Sequence, residues 1–283
     1  MNKRTIFGTL ILIMCSILNL KGQVTTRPDS LAIIETARNY ADGFYSGDPV
    51  RMEKAIQPDL NKVCPVLMPQ TGKTYLMYST YSGLIELTRA KAGALEESKR
   101  KTRIFVLRIN EDVACAKVTS ASFNDYLQMV RIDDQWKIVN VLWTWGEDSP
   151  NRKPDPDFKG LKEKNAVEGV VKAMIEGIYS ADPEIVSKCL HPESRRATLM
   201  QMPTTGNYMV QRDASGGIIE ATRAKLGALE KGKWDISVAM LDCMDGIAMA
   251  EMKIPSGWNY CQLAKLDGEW KIVNILRKIA RKP

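Results

Sequence analysis

Apolar side chains recur at helical spacing in two segments of the chain. In the first, Ile33, Ala37, Tyr40 and Phe44 follow one another at intervals of four, three and four residues. Apolar positions three or four residues apart lie on one face of an α-helix. The segment from Val167 to Ile178 shows the same periodicity. The pattern predicts one amphipathic helix near the start of each half of the chain.

A shorter helix is predicted directly after each of these helices. Asp48-Pro49 and Asp182-Pro183 combine an N-cap acceptor with a residue suited to the first helical turn. The turn sequences Pro69–Gly72 and Pro203–Gly206 then predict a hairpin in each half.

A third helix and a run of strands complete each half. Ile85, Thr88, Ala92 and Leu95 predict the helix. Four extended segments follow it in the first half: Thr102–Ile109, Val113–Ala121, Tyr126–Ile132 and Trp136–Trp143. We predict an α+β fold, with three helices packed on a curved antiparallel sheet and a pocket between the two layers.

The two halves are copies of one another. Tyr45–Pro49 aligns with Tyr179–Pro183 at an offset of 134 residues, and Trp136–Asn140 aligns with Trp270–Asn274 at the same offset. Such repeated self-similarity indicates a duplicated domain. We assign a first domain to residues 23–146 and a second domain to residues 165–283. The proline-containing, charged segment 147–164 is the predicted linker.

The first residues predict export from the cytoplasm. Lys3 and Arg4 precede the apolar run Ile6–Leu18, which is too short to span a bilayer. We predict a signal peptide over residues 1–22, cleaved before Gln23, and a periplasmic or secreted mature chain without a transmembrane segment. Lipid attachment at Cys15 is the less favoured alternative.

Composition and charge narrow the range of functions. The chain is 45% hydrophobic and 26% charged, which is typical of a soluble globular protein. Its formal charge falls from +7 to +4 when Lys3, Arg4 and Lys21 are removed with the signal peptide. No basic run is interleaved with aromatic residues, so we expect no nucleic-acid partner.

The potential metal ligands are few and scattered. His191 is the only histidine, and no cysteine pair has CxxC spacing. We therefore expect no metal and no cofactor, and a structural role for His191. Cys243 and Cys261 are the candidate pair for a disulfide in the second copy. Glu86 and Arg89, three residues apart, predict an ion pair on a helix surface.

The last strands of each copy resemble a known family. Phe123–Leu127 and Asp133–Asn140, with Asn259–Cys261 and Asp267–Asn274 in the second copy, resemble the closing strands of the putative lumazine-binding family. That family is part of the superfamily similar to nuclear transport factor 2, which includes ketosteroid isomerases and polyketide cyclases. The resemblance implies two cone-shaped domains, each with a pocket at its wide end, paired as a homodimer or as an internal pseudo-dimer.

Five residues are candidate contacts for a small-molecule ligand. Tyr75, Tyr78 and Met209 lie on the predicted hairpins, where aromatic and sulfur-containing side chains can line a cavity. Asn140 and Asn274 are polar residues within apolar strands, and we place them on the strand face of the preceding tryptophans. A polar group on a covered face needs a partner, which is either a ligand or a neighbouring backbone group.

Two functional hypotheses follow. The first is a non-catalytic module that binds a small apolar or aromatic molecule, or a protein partner. The second is a cofactor-independent isomerase- or cyclase-like enzyme in which Asp125 acts as the base, and it requires a recessed Asp125 with a raised pKa. We expect Asp125 to be exposed in a turn, which favours the first hypothesis. The second copy has Asn259 at the equivalent position.

Overall fold

The computed structural model describes residues 27–153, 158 and 160–280, so the predicted signal peptide lies outside the described residues. Two α+β units follow one another along the chain. The first contains α1 (Arg27–Ser46), α2 (Pro49–Ala55), β1 (Ile56–Leu67), β2 (Thr74–Ser79), α3 (Tyr81–Arg89), β3 (Arg103–Asn110), β4 (Val113–Thr119), β5 (Phe123–Ile132) and β6 (Gln135–Trp145).

The second unit repeats this order of elements. It contains α4 (Lys164–Tyr179), α5 (Pro183–Cys189), β7 (Leu190–Gln201), β8 (Tyr208–Ala214), α6 (Ser215–Arg223), β9 (Ser237–Met244), β10 (Ile247–Ile254), β11 (Gly257–Leu266) and β12 (Glu269–Ile279). Among the described residues, no helix is long and apolar enough to cross a membrane.

The helix boundaries follow from local chemistry. The Asp48 carboxylate accepts a hydrogen bond from the Arg51 amide at 3.0 Å, and Asp182 caps α5 in the same way. Both predicted N-caps are therefore confirmed. The third helix ends earlier than predicted, at Arg89, because Lys91 has a left-handed backbone with φ of 56°. Ala92 therefore lies beyond the end of the helix.

Each unit forms one six-stranded sheet. The strand order is β2-β1-β6-β5-β4-β3 in the first unit and β8-β7-β12-β11-β10-β9 in the second. The predicted hairpin β1–β2 and the antiparallel meander β3–β6 are confirmed. β1 pairs with β6 in parallel, and β7 pairs with β12 likewise. In each sheet the four-stranded meander starts at one edge and ends in the middle, where its last strand lies beside the first strand of the hairpin.

The turn predicted near Asn124 and Asp125 lies a few residues earlier. The Ser120 hydroxyl donates to the Phe123 carbonyl at 2.6 Å and accepts from the Phe123 amide at 3.2 Å. These bonds close the turn before Phe123, where β5 begins. Asp125 is consequently the third residue of a strand in the middle of the sheet.

Both faces of each sheet are covered. The helices of each unit pack on one face, and each of these two faces has its own apolar core. On the opposite faces, side chains of both sheets contribute to a single shared core, which we call the inter-sheet core. It includes Val63, Val130, Val139 and Leu142 of the first unit with Leu199, Met249, Val273 and Leu276 of the second.

Candidate functional site

The second domain contains a pocket between its helices and its sheet. The pocket has a volume of about 360 Å³, which is within the range of small-molecule sites. It lies where α4 and α6 cross strands β7, β10, β11 and β12. Its apolar walls are formed by Met174, Ile175, Ile178, Ile218, Leu226, Met252, Ile254 and Ile275. These walls suit the body of an apolar or aromatic molecule.

Three polar side chains meet on the sheet side of this pocket. Arg196, Asn259 and Arg277 all line it. They are brought together by strand pairing, because Asn259 of β11 is the direct partner of Arg277 of β12, and Arg196 of β7 pairs with Ile275 on the other side of β12. Asn259 is buried and Arg277 is half-buried.

The two arginines differ in their partners. Arg196 donates hydrogen bonds to the Asp213 carboxylate through Nε at 3.0 Å and Nη2 at 2.8 Å. Within the described part of the chain, no carboxylate oxygen lies within ion-pair distance of Arg277. Burial lowers the pKa of Arg277, the neighbouring charge of Arg196 lowers it further, and Asp213 opposes the shift. The Arg277 guanidinium is thus a largely uncompensated charge.

The equivalent region of the first domain holds a different set of groups. Asp125 is fully buried, which corrects our prediction of an exposed turn residue. The Lys62 ammonium lies 3.5 Å from Asp125 Oδ1, donates to the Tyr40 hydroxyl at 2.6 Å, and lies 4.6 Å from the centre of the Trp143 ring. Charge on Lys62 is therefore matched within the domain.

Burial dominates the electrostatics of this cluster. It raises the pKa of Asp125, although the charge of Lys62 and the neighbouring Tyr40 hydroxyl act in the opposite direction. It lowers the pKa of Lys62, which Asp125 opposes. Burial also raises the pKa of the nearby Cys64 thiol to about 12, so this thiol stays protonated near neutral pH.

In the first domain, Tyr40 and Trp143 stand at the positions of the pocket-lining residues Met174 and Arg277. Phe123 stacks on Tyr45 with ring centres 5.1 Å apart and contacts Tyr40 edge-on at 6.3 Å. The second copy has Gly257 at the position of Phe123. Gly257 has φ of 135°, and a Cβ there would lie 2.0 Å from the Lys278 carbonyl oxygen. The backbone of the second copy therefore excludes a side chain at the position where the first copy has the Phe123 ring.

The two candidate asparagines lie between the sheets. Asn140 Nδ2 donates to Gln128 Oε1 at 2.7 Å, and Asn274 Nδ2 donates to Gln262 Oε1 at 2.8 Å. Our placement of Asn140 on the face of Trp136 is wrong, because β5 and β6 shift register between these two positions and the bulge reverses the alternation. A ligand role for the asparagines stays a prediction.

The three hairpin candidates lie on the outer strands. Tyr75, Tyr78 and Met209 are 46%, 39% and 44% exposed, and none of them lines the pocket of the second domain. His191 Nδ1 accepts from the Glu193 amide at 3.1 Å and lies 3.5 Å from the Tyr78 hydroxyl. The structure thus places these residues outside the pocket of the second domain.

Sequence reasoning missed Lys62, Arg196 and Arg277. All three lie in strands of sheets that are covered on both faces, where a charged side chain must find a partner or a ligand. Aligning the copies would have given the signal, because Trp143 of the first copy corresponds to Arg277 of the second. The predicted ion pair Glu86–Arg89 is confirmed as a surface contact.

The remaining reactive groups form no obvious site. Within the described ranges, no group of three or more histidine, cysteine, aspartate or glutamate side chains could hold a metal ion. The five described cysteines are free thiols. Cys243 and Cys261, the candidate disulfide pair, lie on β9 and β11, which are separated by β10.

Comparison with known proteins identifies the family. The family described as putative lumazine-binding matches residues 28–144 and residues 162–276. The chain belongs to this family. The match contains one copy of the family domain in each structural unit, and it confirms the resemblance seen in the closing strands. No match to a curated protein is found.

Similar solved structures each cover about one copy. They include a nuclear-transport-factor-2-like protein of unknown function from Silicibacter pomeroyi, with 19% identity over 43% of this chain and 98% of that chain and a TM-score of 0.37. A similar protein from Shewanella baltica has 16% identity over 43% and 97%, with a TM-score of 0.35. A ketosteroid isomerase-like protein from Erwinia carotovora atroseptica has 12% identity over 42% and 98%, with a TM-score of 0.32.

Proposed function

We propose that the chain is an exported, non-catalytic binding protein whose second domain holds a small molecule with a largely apolar or aromatic body. The observation that carries this proposal is the pocket of about 360 Å³ between α4, α6 and the second sheet. Its walls are mostly apolar, with a few convergent polar groups, as is usual for ligand sites. In the first domain, aromatic rings pack together in the equivalent region, so we assign binding to the second domain.

The chemistry of this pocket favours binding over catalysis. The position of the buried Asp125 is occupied by Asn259, which cannot accept a proton as a general base. Burial raises the pKa of Tyr179, another lining residue, so its hydroxyl stays protonated near neutral pH. His191, the only histidine, is not among the lining residues. The lining thus offers hydrogen bonds and positive charge for holding a ligand.

The test is to fill the pocket while leaving its polar groups in place. Ala221 lines the pocket from α6, whereas Ala224 lies just beyond the end of the same helix and is exposed. The mature chain from Gln23 should release a bound small molecule on denaturation, measured by native mass spectrometry. We expect Ala221→Trp to abolish this release and Ala224→Trp to retain it. Equal release from both variants would contradict the assignment of the pocket.

Export is proposed from the basic and apolar residues of segment 1–22. The test is the N-terminal sequence and mass of the mature protein recovered from a cell-envelope fraction. We expect a chain that begins at Gln23. A lipid-modified chain that begins at Cys15 would instead support the lipoprotein alternative.

A second candidate function is favoured by the burial of Asp125. An isomerase-like site in the first domain would use this carboxylate as the base, with Tyr40 as a hydrogen-bond donor. The raised pKa and full burial of Asp125 meet the condition set for this hypothesis. Hydrogen–deuterium exchange next to the carbonyl of a panel of ketones tests it. Exchange that is catalysed by the wild type and lost in Asp125→Asn would support it.

A further inference from the structure

The pocket of the second domain carries an excess of positive charge. Arg196 and Arg277 line it, and Asp213 is the carboxylate bonded to one of them. Asn259, which lies beside Arg277 in the sheet, has no charge. Two guanidinium groups and one carboxylate leave a formal charge of +1 beside the apolar walls of the pocket.

Comparison of the copies shows how this excess arises. The first copy has Lys62, Asp125 and Trp143 where the second has Arg196, Asn259 and Arg277. Lys62 and Asp125 neutralise one another at 3.5 Å. Loss of the carboxylate at one position and gain of a guanidinium at its strand partner add two positive charges, and Asp213, where the first copy has Ser79, offsets one of them. The differences between the copies change this region from neutral in the first copy to cationic in the second.

The free hydrogen-bonding capacity is concentrated on Arg277. Asp213 occupies Nε and Nη2 of Arg196 and so fixes the orientation of that side chain. Among the described residues, Arg277 makes no side-chain hydrogen bond or ion pair. A half-buried guanidinium without a partner is costly, and a planar carboxylate matches its two parallel N–H groups.

We infer that the ligand of this pocket is an organic anion, whose carboxylate is bound by Arg277 beside Arg196 and whose apolar body lies between α4 and the strand residues Met252 and Ile275. This inference rests on the proposed binding function and adds the charge class of the ligand. Asn259 supplies an amide next to the carboxylate. The hydrophobic walls select for a body larger than that of a simple inorganic anion.

The experiment compares acids with neutral analogues of the same shape. The probes are 2-naphthoate with 2-naphthamide and decanoate with decanamide, titrated into the mature chain by calorimetry. Charge-assisted hydrogen bonds predict that at least one acid binds about tenfold or more tightly than its amide. Arg277→Gln should remove this preference, and Arg277→Lys should retain part of it. Arg195→Gln removes the same charge from an exposed neighbour in β7 and should leave the preference unchanged.

The outcomes separate this inference from the proposed function. Equal affinity of acids and amides, lost in Ala221→Trp, would overturn the anion inference and leave the binding function intact. Preference for acids that survives in a folded Arg277→Gln variant would overturn the role of Arg277. Failure of all four probes to bind, with no molecule released from the purified chain, would count against the binding function and the anion inference together.

Discussion

Gln128 and Gln262 occupy equivalent positions in the two copies, and each donates a hydrogen bond across the space between the sheets. Gln128 Nε2 donates to the Tyr260 carbonyl at 2.7 Å, and Gln262 Nε2 donates to the Tyr126 carbonyl at 2.8 Å. Since the bonded tyrosines are also equivalent, the contact is reciprocal, as in a two-fold symmetric dimer. Here both partners belong to one chain.

Loss of one of these glutamines should destabilise the whole chain. In Gln128→Leu, the Tyr260 carbonyl and the Asn140 amide lose their hydrogen bonds at a buried position. We expect the free energy of unfolding in urea to fall by about 1–3 kcal/mol. Gln135→Leu, at an exposed position at the start of β6, is the control and should change it by less than about 0.5 kcal/mol. Equal stability of the two variants would show that the reciprocal bonds contribute nothing.

Two of the ion pairs between the copies take their cation from the first copy and their anion from the second. Lys117 pairs with Asp242, and Arg108 pairs with Glu251 at 3.0 Å. Position 117 is equivalent to 251 and position 108 to 242, so the first copy supplies both cations and the second copy both anions. Pairing of two first copies would place cation against cation.

This sorting predicts that the copies prefer each other to themselves. When residues 27–149 and 160–280 are produced separately and mixed, we expect a one-to-one complex, because this pairing places Lys117 against Asp242 and Arg108 against Glu251 and covers the apolar face of each half. Analytical ultracentrifugation of the mixture and of each half measures the outcome. A first half that is a stable, well-folded monomer would contradict the proposed internal pairing.

The sequence predicted the architecture better than the site. Repetition of Tyr45–Pro49 and Trp136–Asn140 was sufficient for two copies of an α+β domain, since helical and strand periodicity are local properties. The bulge that turns Asn140 towards the other sheet depends on pairing between β5 and β6, which periodicity does not contain. The roles of Asp125 and Arg277 likewise depend on which side chains strand pairing brings together.

Asp112 links the stability of the pairing to pH. Burial alone would raise its pKa, but the hydrogen bond from Arg131 and the charge of Lys278, from the other copy, outweigh burial and lower the pKa. A carboxyl with a lowered folded-state pKa contributes stability that is complete above its unfolded pKa of about 3.9 and is lost as the pH falls below that value.

We therefore expect Asp112→Asn to be less stable than the wild type at pH 7, with a difference that narrows as the pH falls from about 4 to about 2. Urea unfolding at several pH values measures the difference. The control is Asp235→Asn, at an exposed position, which should give a difference that changes little with pH. A constant difference for Asp112→Asn over this range would rule out the carboxylate as the origin of the effect.

The buried pair Lys62 and Asp125 should behave as a single energetic unit. Both side chains are almost fully buried, and neither Asp125 oxygen has a hydrogen-bond partner among the described residues. Removing one charge leaves the other buried without its ion-pair partner, so we expect Lys62→Met and Asp125→Asn each to cost about 3–5 kcal/mol. The double variant should cost less than the sum, because it leaves no buried charge.

Glu86→Gln with Arg89→Met, at an exposed ion pair, is the control cycle and should show a coupling of about 0.2–0.5 kcal/mol. Additive costs at Lys62 and Asp125 would mean that the two charges are stabilised independently, and Asp125 would then be available to act on a substrate.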